Sequence, residues 1–559
     1  VGEIFKKIPY ASPPTGARRW KKPVPPEPWN YTLDGTFFGP GCAQVPSSWE
    51  GYKKGLSEDC LTVNIYTSSS CRVLNAKCPV AVYIHGGSGL VHGVQGFPDE
   101  SHITNFVSHG VILVTFSYRL GVFGAMALGD ENALPANLNM HDVRESLRFI
   151  RKEIHSFGGD KDQVTLLGYS TGASITFCLV FSPAFNNPGE TPLFARAIGM
   201  STPMNLDSEE KQVNRSHVVA KKLGCMGTAQ EIIDCLLPLS TSEILNAAFE
   251  IGTANLFSPT HISGLALAGE LMPIHNMMEL RDNHEENMKK LDSRMPTKLL
   301  LGTIVNEFGV PAYSKYKDIF KKSMTYQKGV NQVMDVLGVR NVQECTDKYF
   351  GDVKSGKLDP GYDTLSQSLF TSTALFAGAQ VHAGGEVYLY QLDYPHHAMH
   401  ADHLGYVMKN RDDSLDENEQ WISRVFPVYI TNFIRGLPLA PDWQPFNPEL
   451  MNYYSINKNF NEGISPEITL GYHHHLIKYY NDMIKFDDQL TNDKQMILNA
   501  PIQMKKLPTE FIDTHSEPFN LRDLLFYSAF LSVILCIIVQ LYQYCQSRQS
   551  SQESSRLIR

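Results

Sequence analysis

The sequence lacks the patterns that would point to nucleic acids, to zinc or to a modular chain. Its 559 residues carry a formal net charge of −9 and no basic stripe, which argues against nucleic acid as a partner. It has no Cys-x-x-Cys spacing of the zinc-binding kind, and no repeat or Ser/Gly-rich linker before about residue 485. With 43% hydrophobic and 19% charged residues, the composition is that of a globular protein and allows one large domain.

The beginning of the sequence lacks an apolar leader, whereas its end contains a long apolar run. Residues 524–542 carry no charged side chain, and about 20 apolar residues span a bilayer as a helix. Arginines in residues 543–559 slightly favour a cytosolic tail. We therefore predict a single-pass membrane protein with an extracellular or lumenal domain over residues 1–485 and a polar stalk over 486–523. We expect a signal peptide to precede Val1.

Six of the ten cysteines form closely spaced pairs that bracket short loops: Cys42 and Cys60, Cys71 and Cys78, and Cys225 and Cys235. Disulfides in secreted domains often close loops of this size, and reduced thiols in a cytosolic protein are the alternative. Cys178 and Cys345 have no evident partner and are predicted to be free and buried. Two glycosylation sequons, at Asn30 and Asn214, favour the secretory route, although such triplets also occur by chance.

Alternating strand and helix patterns predict the fold class. Val80–Ile84 and Val111–Phe116 are continuous apolar runs, as in buried parallel strands, and His141–Phe157 has apolar residues at helical spacing. Further strands are predicted at Val164–Leu167, Lys298–Leu301 and Val387–Leu392. This order predicts an α/β fold, with a mainly parallel sheet covered by helices on both faces. Ligand chemistry is then expected at the carboxyl ends of the strands.

A nucleophile elbow is predicted at Gly168-Tyr169-Ser170-Thr171-Gly172, directly after the predicted strand Val164–Leu167. In such an elbow the strand ends in a sharp turn that exposes the serine hydroxyl, and the flanking glycines allow close backbone approach. Chance also supplies this pentapeptide, and the alternative is an ordinary serine in a tight turn. The position after a strand makes Ser170 our candidate nucleophile.

A glycine-rich turn, His85-Gly86-Gly87-Ser88-Gly89, follows the first of the predicted parallel strands. The backbone N–H groups of Gly87 and Ser88, together with that of Thr171, are our candidate oxyanion hole. Such donors stabilise the negative charge that forms on a carbonyl oxygen under attack. The alternatives are a flexible loop or a phosphate cradle, but the Gly-Lys-Ser/Thr of a phosphate loop is absent.

Candidates for the base and the acid follow two later strands. Four histidines lie close together after Val387–Leu392: His396, His397, His400 and His403. A neutral histidine can accept the serine proton. A zinc site or a solvated loop is the alternative, although no acidic or sulfur ligand completes a zinc pattern. Glu307 follows the strand Lys298–Leu301 and could orient the histidine, in the chain order Ser, acid, His of α/β-hydrolases.

Several longer motifs resemble the type-B carboxylesterase family, which includes carboxylesterases, cholinesterases and the non-enzymatic neuroligins. They are Ser57-Glu58-Asp59-Cys60-Leu61, Ser117-Tyr118-Arg119-Leu120-Gly121, Phe157-Gly158-Gly159-Asp160, Thr431-Asn432-Phe433 and Trp443-Gln444-Pro445. The resemblance implies an α/β-hydrolase fold and a triad of Ser170, Glu307 and His400, since Leu404 and Tyr406 stand at the family's distances after this histidine. It also implies the disulfides Cys42–Cys60 and Cys225–Cys235, and buried ion pairs of Arg19 with Glu58 and of Arg119 with Asp160.

Three positions depart from the family pattern. The family usually has Gly where Ser88 stands, Ala where Thr171 stands, and Glu or Asp where His403 stands. All three lie within or beside the candidate site, so we expect them to reduce activity or to narrow the range of substrates.

The functional hypothesis is a membrane-anchored serine hydrolase that acts on a small carboxylic ester, with no metal or organic cofactor. A neuroligin-like adhesion or receptor ectodomain is the rival interpretation, and a homodimer is possible. A cholinesterase is a narrower alternative that would need an aromatic cation site, for which Trp49 is the candidate.

Overall fold

A computed structural model of the chain describes residues 2–499 apart from 46–54, 74–75, 186–190, 204–205, 254–261, 263, 274–276, 290–296, 309–329, 332, 335–336, 360–363, 395, 397–398 and 410–414. The predicted transmembrane helix and cytoplasmic tail, most of the predicted stalk, and Trp49 and His397 lie outside the described residues. The chain divides into one unit of Val1–Lys494 and a second of Gln495–Arg559.

A large mixed sheet forms the centre of the first unit. Its strands, in spatial order, are β1 (Gly2–Pro9), β4 (Thr62–Ser68), β6 (Ile112–Phe116), β5 (Cys78–Ile84), β7 (Gly159–Tyr169), β8 (Arg196–Met200), β11 (Lys298–Ile304), β12 (Val387–Leu392), β13 (Tyr453–Ile456) and β14 (Glu467–Thr469). The pairs from β6 to β13 are parallel, while β1, β4 and β14 pair antiparallel. Two small parallel pairs lie apart: β2 (Gly41–Cys42) with β3 (Leu56–Ser57), and β9 (Asp207–Ser208) with β10 (Ala266–Leu267).

Helices surround this sheet. Within the described residues they are α1 (Ser69–Val73), α2 (Asp99–Asn105), α3 (Gly121–Gly124), α4 (Leu138–Glu153), α5 (Thr171–Phe181), α6 (Glu209–Lys222), α7 (Ala229–Leu236), α8 (Thr241–Glu250), α9 (Met277–Asp282), α10 (His284–Lys289), α11 (Val342–Lys354), α12 (Thr364–His382), α13 (Asp402–Met408), α14 (Glu417–Arg435) and α15 (His474–Asn499). The predicted helix over His141–Phe157 corresponds to α4 and a following 3₁₀ turn, Ile154–Phe157.

The two faces of the sheet bury different sets of side chains, because successive residues of a strand point in opposite directions. Val82 and Leu166 lie in a core that also contains residues of α4 and α5. Their neighbours Tyr83 and Leu167 lie in a second core with residues of α13 and α14. Burial on both faces explains why the parallel strands are continuous apolar runs in the sequence.

Disulfides fix three surface loops. The structure has Cys42–Cys60, Cys71–Cys78 and Cys225–Cys235, while Cys178 and Cys345 lie outside these bridges and are buried. All three predicted pairings are confirmed.

One of the two predicted ion pairs is wrong. The Arg19 guanidinium binds both carboxylate oxygens of Glu58 at 2.7 Å, as expected. Arg119, however, pairs with Asp142 in the first turns of α4, at 2.7 and 2.8 Å. Asp160 instead accepts hydrogen bonds from the backbone of Asp162 and the side chain of Gln163, in the early part of β7. The Arg119 N–H also donates to Asp142 at 3.0 Å, so both the backbone and the side chain of Arg119 bind this acid.

Helix α15 runs through residue 485, where the sequence predicts the stalk to begin. Asp487 is buried and accepts a hydrogen bond from the Asn341 backbone at 2.8 Å, so contacts of the first unit extend beyond that residue. Among the described residues, no single helix is long and apolar enough to cross a membrane. The pair α7 and α8 meets the length and composition criteria together, with a bend of 117°.

Candidate active site

Ser170 occupies a strained turn between β7 and α5. Its φ of 53° lies in the left-handed region that non-glycine residues seldom adopt, and strain of this kind accumulates at functional sites. The turn is possible because Gly172 passes close to the end of β5: an added Cβ would lie 2.0 Å from the Ile84 carbonyl oxygen. The Ser170 N–H donates to the Met200 carbonyl at 2.9 Å, which fixes the turn against β8.

The three predicted triad side chains meet although they lie far apart in the sequence. The Ser170 hydroxyl lies 2.9 Å from His400 Nε2, and His400 Nδ1 lies 2.8 Å from Glu307 Oε2. The His400 N–H also donates to the Glu307 carbonyl at 2.8 Å, so backbone and side chain hold the same pair together. Since a carboxylate can only accept, Nδ1 carries the ring proton, and the lone pair of Nε2 is free to accept the serine proton.

Glu307 is fully buried, and its second oxygen is also occupied. Oε1 accepts hydrogen bonds from the Ile304 N–H at 2.9 Å and from the Ser201 hydroxyl at 2.6 Å. A buried carboxylate is costly unless its oxygens receive such donors. Ser201 follows β8 directly, but it lacks a glycine-flanked motif, so no local pattern in the sequence marks it.

Two aromatic rings pack against the His400 imidazole. The Phe308 ring stacks on it with centroids 4.6 Å apart, and the Tyr169 ring lies 5.2 Å away on a tilted plane. Both residues are sequence neighbours of predicted triad members, Glu307 and Ser170. The His400 side chain is 18% exposed, so most of its surface is covered.

The glycine-rich turn lies against Ser170. A Cβ built on Gly86 would be 2.8 Å from the Ser170 Cβ. Two hydrogen bonds hold the turn in place. The Tyr118 hydroxyl donates to the His85 carbonyl at 2.6 Å, and His85 Nδ1 lies 2.8 Å from the Gly86 oxygen. Burial lowers the pKa of His85 to about 3, so its ring is neutral and Nδ1 can donate to Gly86.

Three backbone N–H groups near Ser170 are available to a ligand. Within the described part of the chain, the N–H groups of Gly87, Ser88 and Thr171 have no protein acceptor. Thr171 is the first residue of α5, where helix N–H groups normally lack an intrahelical partner. An anion or a carbonyl oxygen is the kind of group that such donors bind.

The two departures in this region have different structural consequences. Ser88 has a φ of 58°, a conformation that glycine adopts without strain, and its residue is partly exposed. Thr171 is buried with Cγ2 facing Gly264, where an added Cβ would lie 3.1 Å from that methyl group. The extra bulk at Thr171 is therefore accommodated next to Gly264.

The other predicted site residues are dispersed. Asn30 is exposed, while Asn214 is exposed on α6 with the sequon residue Ser216 buried behind it. Of the four clustered histidines, His396 lies near the surface and pairs with Asp416 at 3.2 Å, whereas His403 is completely buried. Among the described residues, no group of three or more His, Cys, Asp or Glu side chains could hold a metal ion.

The central mixed sheet, the strained serine turn after β7, and the Ser170, His400 and Glu307 side chains in hydrogen-bonded sequence define an α/β-hydrolase. The Carboxylesterase family model matches residues 2–473. The chain belongs to the carboxylesterase family.

Individual relatives agree with this assignment. The chain is 36% identical over 255 residues to juvenile hormone esterase of Tribolium castaneum, a match that covers 44% of this chain and 41% of that enzyme. It is 27% identical over 499 residues to acetylcholinesterase of Bungarus fasciatus, covering 81% of this chain and 79% of that enzyme. The crystal structure of juvenile hormone esterase from Manduca sexta has the same fold, with a TM-score of 0.71 at 20% identity over 88% of this chain and 95% of that one.

Proposed function

We propose that this protein is a serine hydrolase of carboxylic esters that works through an acyl-enzyme. The observation that carries the proposal is the continuous hydrogen-bond path from Ser170 Oγ to His400 Nε2 and from His400 Nδ1 to Glu307 Oε2, at 2.9 and 2.8 Å. Because Glu307 holds the proton on His400 Nδ1, the Nε2 lone pair faces the Ser170 hydroxyl, which is the arrangement that a general base needs to activate a serine. Membership of a family of ester hydrolases supports the same chemistry.

In the first half of the reaction, His400 Nε2 accepts the hydroxyl proton as Ser170 Oγ attacks the ester carbonyl carbon. The carbonyl π electrons move to the oxygen, which the N–H groups of Gly87, Ser88 and Thr171 stabilise. The tetrahedral intermediate collapses, its bond to the alkoxy oxygen breaks, and His400 returns the proton to the departing alcohol.

In the second half, His400 takes a proton from water, whose oxygen attacks the acyl carbon. As this intermediate collapses, the bond between the acyl carbon and Ser170 Oγ breaks, His400 returns the proton to Oγ, and the carboxylic acid is released. Throughout, Glu307 holds the imidazole with Nδ1 protonated and stabilises its transient positive charge.

The proposal is tested with a short-chain aryl ester and a fluorophosphonate probe. Ser170→Ala should abolish turnover, by about a thousandfold or more, and should abolish labelling of the peptide that contains residue 170. Ser108→Ala is the matched control, because Ser108 is an exposed serine whose hydroxyl only donates to the Thr104 carbonyl.

A purified wild-type domain that neither hydrolyses the ester nor reacts at Ser170 would overturn the proposal and favour the adhesion interpretation. Preference for acetylthiocholine over the uncharged ester would identify a cholinesterase instead.

We also propose that the domain faces an oxidising compartment and is held there by residues 524–542. The three disulfides support the first part, because disulfides persist in secreted and lumenal proteins. The absence of charge over residues 524–542 supports the second. Fused to a signal peptide, a chain that ends at residue 520 should be released into the medium, whereas the full chain should remain with membranes. Membrane retention of both chains would contradict the anchor.

A further inference from the structure

A second serine–histidine pair lies behind Glu307. Ser201 Oγ is 3.0 Å from His403 Nε2, and His403 Nδ1 is 3.2 Å from the Tyr390 hydroxyl. Ser201 and His403 are fully buried. His403 stands where the family usually has an acidic residue, so this chain places a different kind of group at the back of its site.

The proton positions in this second pair follow from Glu307. The Ser201 hydroxyl has one proton, and the carboxylate oxygen 2.6 Å away can only accept it. Ser201 Oγ must therefore accept from His403, which fixes the ring proton on Nε2. His403 Nδ1 then accepts from the Tyr390 hydroxyl. Each group therefore donates to the next in the order Tyr390, His403, Ser201, Glu307.

The surrounding structure holds this arrangement in place. Ser201 has a φ of 50°, and its N–H donates to the Gly302 carbonyl at 2.8 Å, so a strained backbone aims the hydroxyl. Gly302 is required for the outer partner, because an added Cβ would lie 1.8 Å from the Tyr390 ring. The Tyr390 ring thus reaches His403 only because residue 302 has no side chain.

The charged and titratable groups around His403 leave it neutral. Ser201 lies between His403 and Glu307. His400 and Asp402 lie on the same chain segment as His403. The rings of Tyr169 and Tyr390 pack against the His403 ring. Burial, followed by the proximity of His400, lowers the pKa of His403 well below its usual range. An acidic residue here would instead add a second negative charge beside Glu307.

We propose that His403 is a positioning residue for the catalytic acid: it donates to Ser201 so that the Ser201 hydroxyl is committed to Glu307. This inference rests on the proposed function, in which Glu307 orients His400.

Two amide variants of His403 form a matched test. In His403→Gln the amide N–H₂ reaches the position of Nε2 and can still donate to Ser201. In His403→Asn the shorter amide reaches only the position of Nδ1, near Tyr390. For a short-chain aryl ester, we expect H403Q to keep kcat within about threefold of wild type. H403N should lower kcat about tenfold, the cost of losing a hydrogen bond in a charged network, with KM changed less than about twofold.

The pH profile separates positioning from mere packing. The acid limb of kcat/KM follows protonation of the Glu307–His400 pair. Loss of the donor raises the proton affinity of that pair, so the limb should move to higher pH in H403N and in Ser201→Ala but not in H403Q. The double variant S201A/H403N should be no worse than S201A, because both changes break the same link.

An unshifted acid limb with wild-type kcat in H403N, or additive losses in the double variant, would overturn the proposal. If H403N does not fold, S201A provides the test, since it removes a single oxygen atom. An acid limb of kcat/KM that is unshifted in S201A would also overturn the proposal. A wild-type protein that is not labelled at Ser170 would refute the proposed function itself. Labelling at Ser170 combined with unchanged H403N and S201A would refute only the role of His403.

Discussion

Ser170 and Ser201 occupy equivalent places on neighbouring strands yet end in opposite chemical states. Each follows a parallel strand directly, has a φ near 50°, and donates its N–H to the carbonyl at the end of the next strand. Each hydroxyl also lies about 3 Å from the Nε2 atom of a histidine, at 2.9 Å for His400 and 3.0 Å for His403. Strain and a histidine neighbour therefore do not by themselves make a nucleophile.

The difference lies in where each hydroxyl proton goes. Ser201 gives its proton to Glu307 and accepts from His403, so its oxygen is neither activated nor accessible. Ser170 faces a histidine whose other nitrogen donates to the same carboxylate, so its proton goes to a base. One carboxylate thus directs two serine–histidine pairs, each from a different oxygen.

Glu307→Gln should disturb both pairs and give the largest effect. A glutamine offers one acceptor and one donor in place of two acceptors, so it can satisfy either His400 or Ser201 but not both. We expect kcat/KM for an aryl ester to fall by about 10³–10⁴-fold, as when the acid of a triad can no longer fix the tautomer. The matched control is Glu285→Gln, the same change in an exposed residue that pairs with Lys289. Loss of less than about tenfold in E307Q would mean that the carboxylate does not govern His400.

The buried histidine should make stability fall on acidification. Because the folded-state pKa of His403 is depressed, the unfolded chain binds its proton below about pH 6.5 while the folded chain does not. The unfolded state then holds more protons, so the free energy of unfolding decreases as pH falls below that value. H403Q removes this titrating group. Its free energy of unfolding should therefore fall less steeply with decreasing pH than that of the wild type, by up to about 1.4 kcal/mol per pH unit.

Urea unfolding at pH 7.5 and 5.5 measures this difference. The exposed His217 provides the control, since His217→Gln should leave the slope unchanged. Equal slopes for wild type and H403Q would show that His403 is not buried as a neutral base.

Ser88→Gly changes the turn that carries the oxyanion donors and should have the smallest effect. Relief of left-handed strain and the greater flexibility of glycine in the unfolded chain oppose each other, so stability should change by less than about 1 kcal/mol. Removal of the side chain beside the oxyanion donors should favour bulky acyl groups over short ones by about threefold in kcat/KM, a change worth less than 1 kcal/mol.

Lys77→Gly is a matched control, because Lys77 is exposed with a φ of 48° and lies outside the site. An identical acyl preference in S88G and K77G would mean that Ser88 does not restrict the substrate.

The pair of Ser170 and His400 could be predicted from the sequence, whereas the pair of Ser201 and His403 could not. Ser170 lies in a glycine-flanked motif after an apolar strand, and Glu307 and four candidate histidines follow strands whose ends converge in a parallel sheet. The resemblance to the family, through Leu404 and Tyr406, was needed to choose His400 among them. Ser201 also follows a strand, but a serine without such flanks has no local signal. Arg119 illustrates the same limit. Both Asp142 and Asp160 are acids in the helix–strand segment that follows it, and only the tertiary structure shows that Asp142 is the partner.

The amino-acid sequence by itself determined the fold class, the order of the chemical residues and the three candidate cysteine pairs, since each depends on periodicity, motif spacing or short loops. Only the tertiary structure decided which hydroxyl proton meets a base and which meets a carboxylate. That decision rests on which side chains, up to 230 residues apart, the fold brings to each hydroxyl. Ser170 meets the base His400, whereas Ser201 meets both the Glu307 carboxylate and the buried His403.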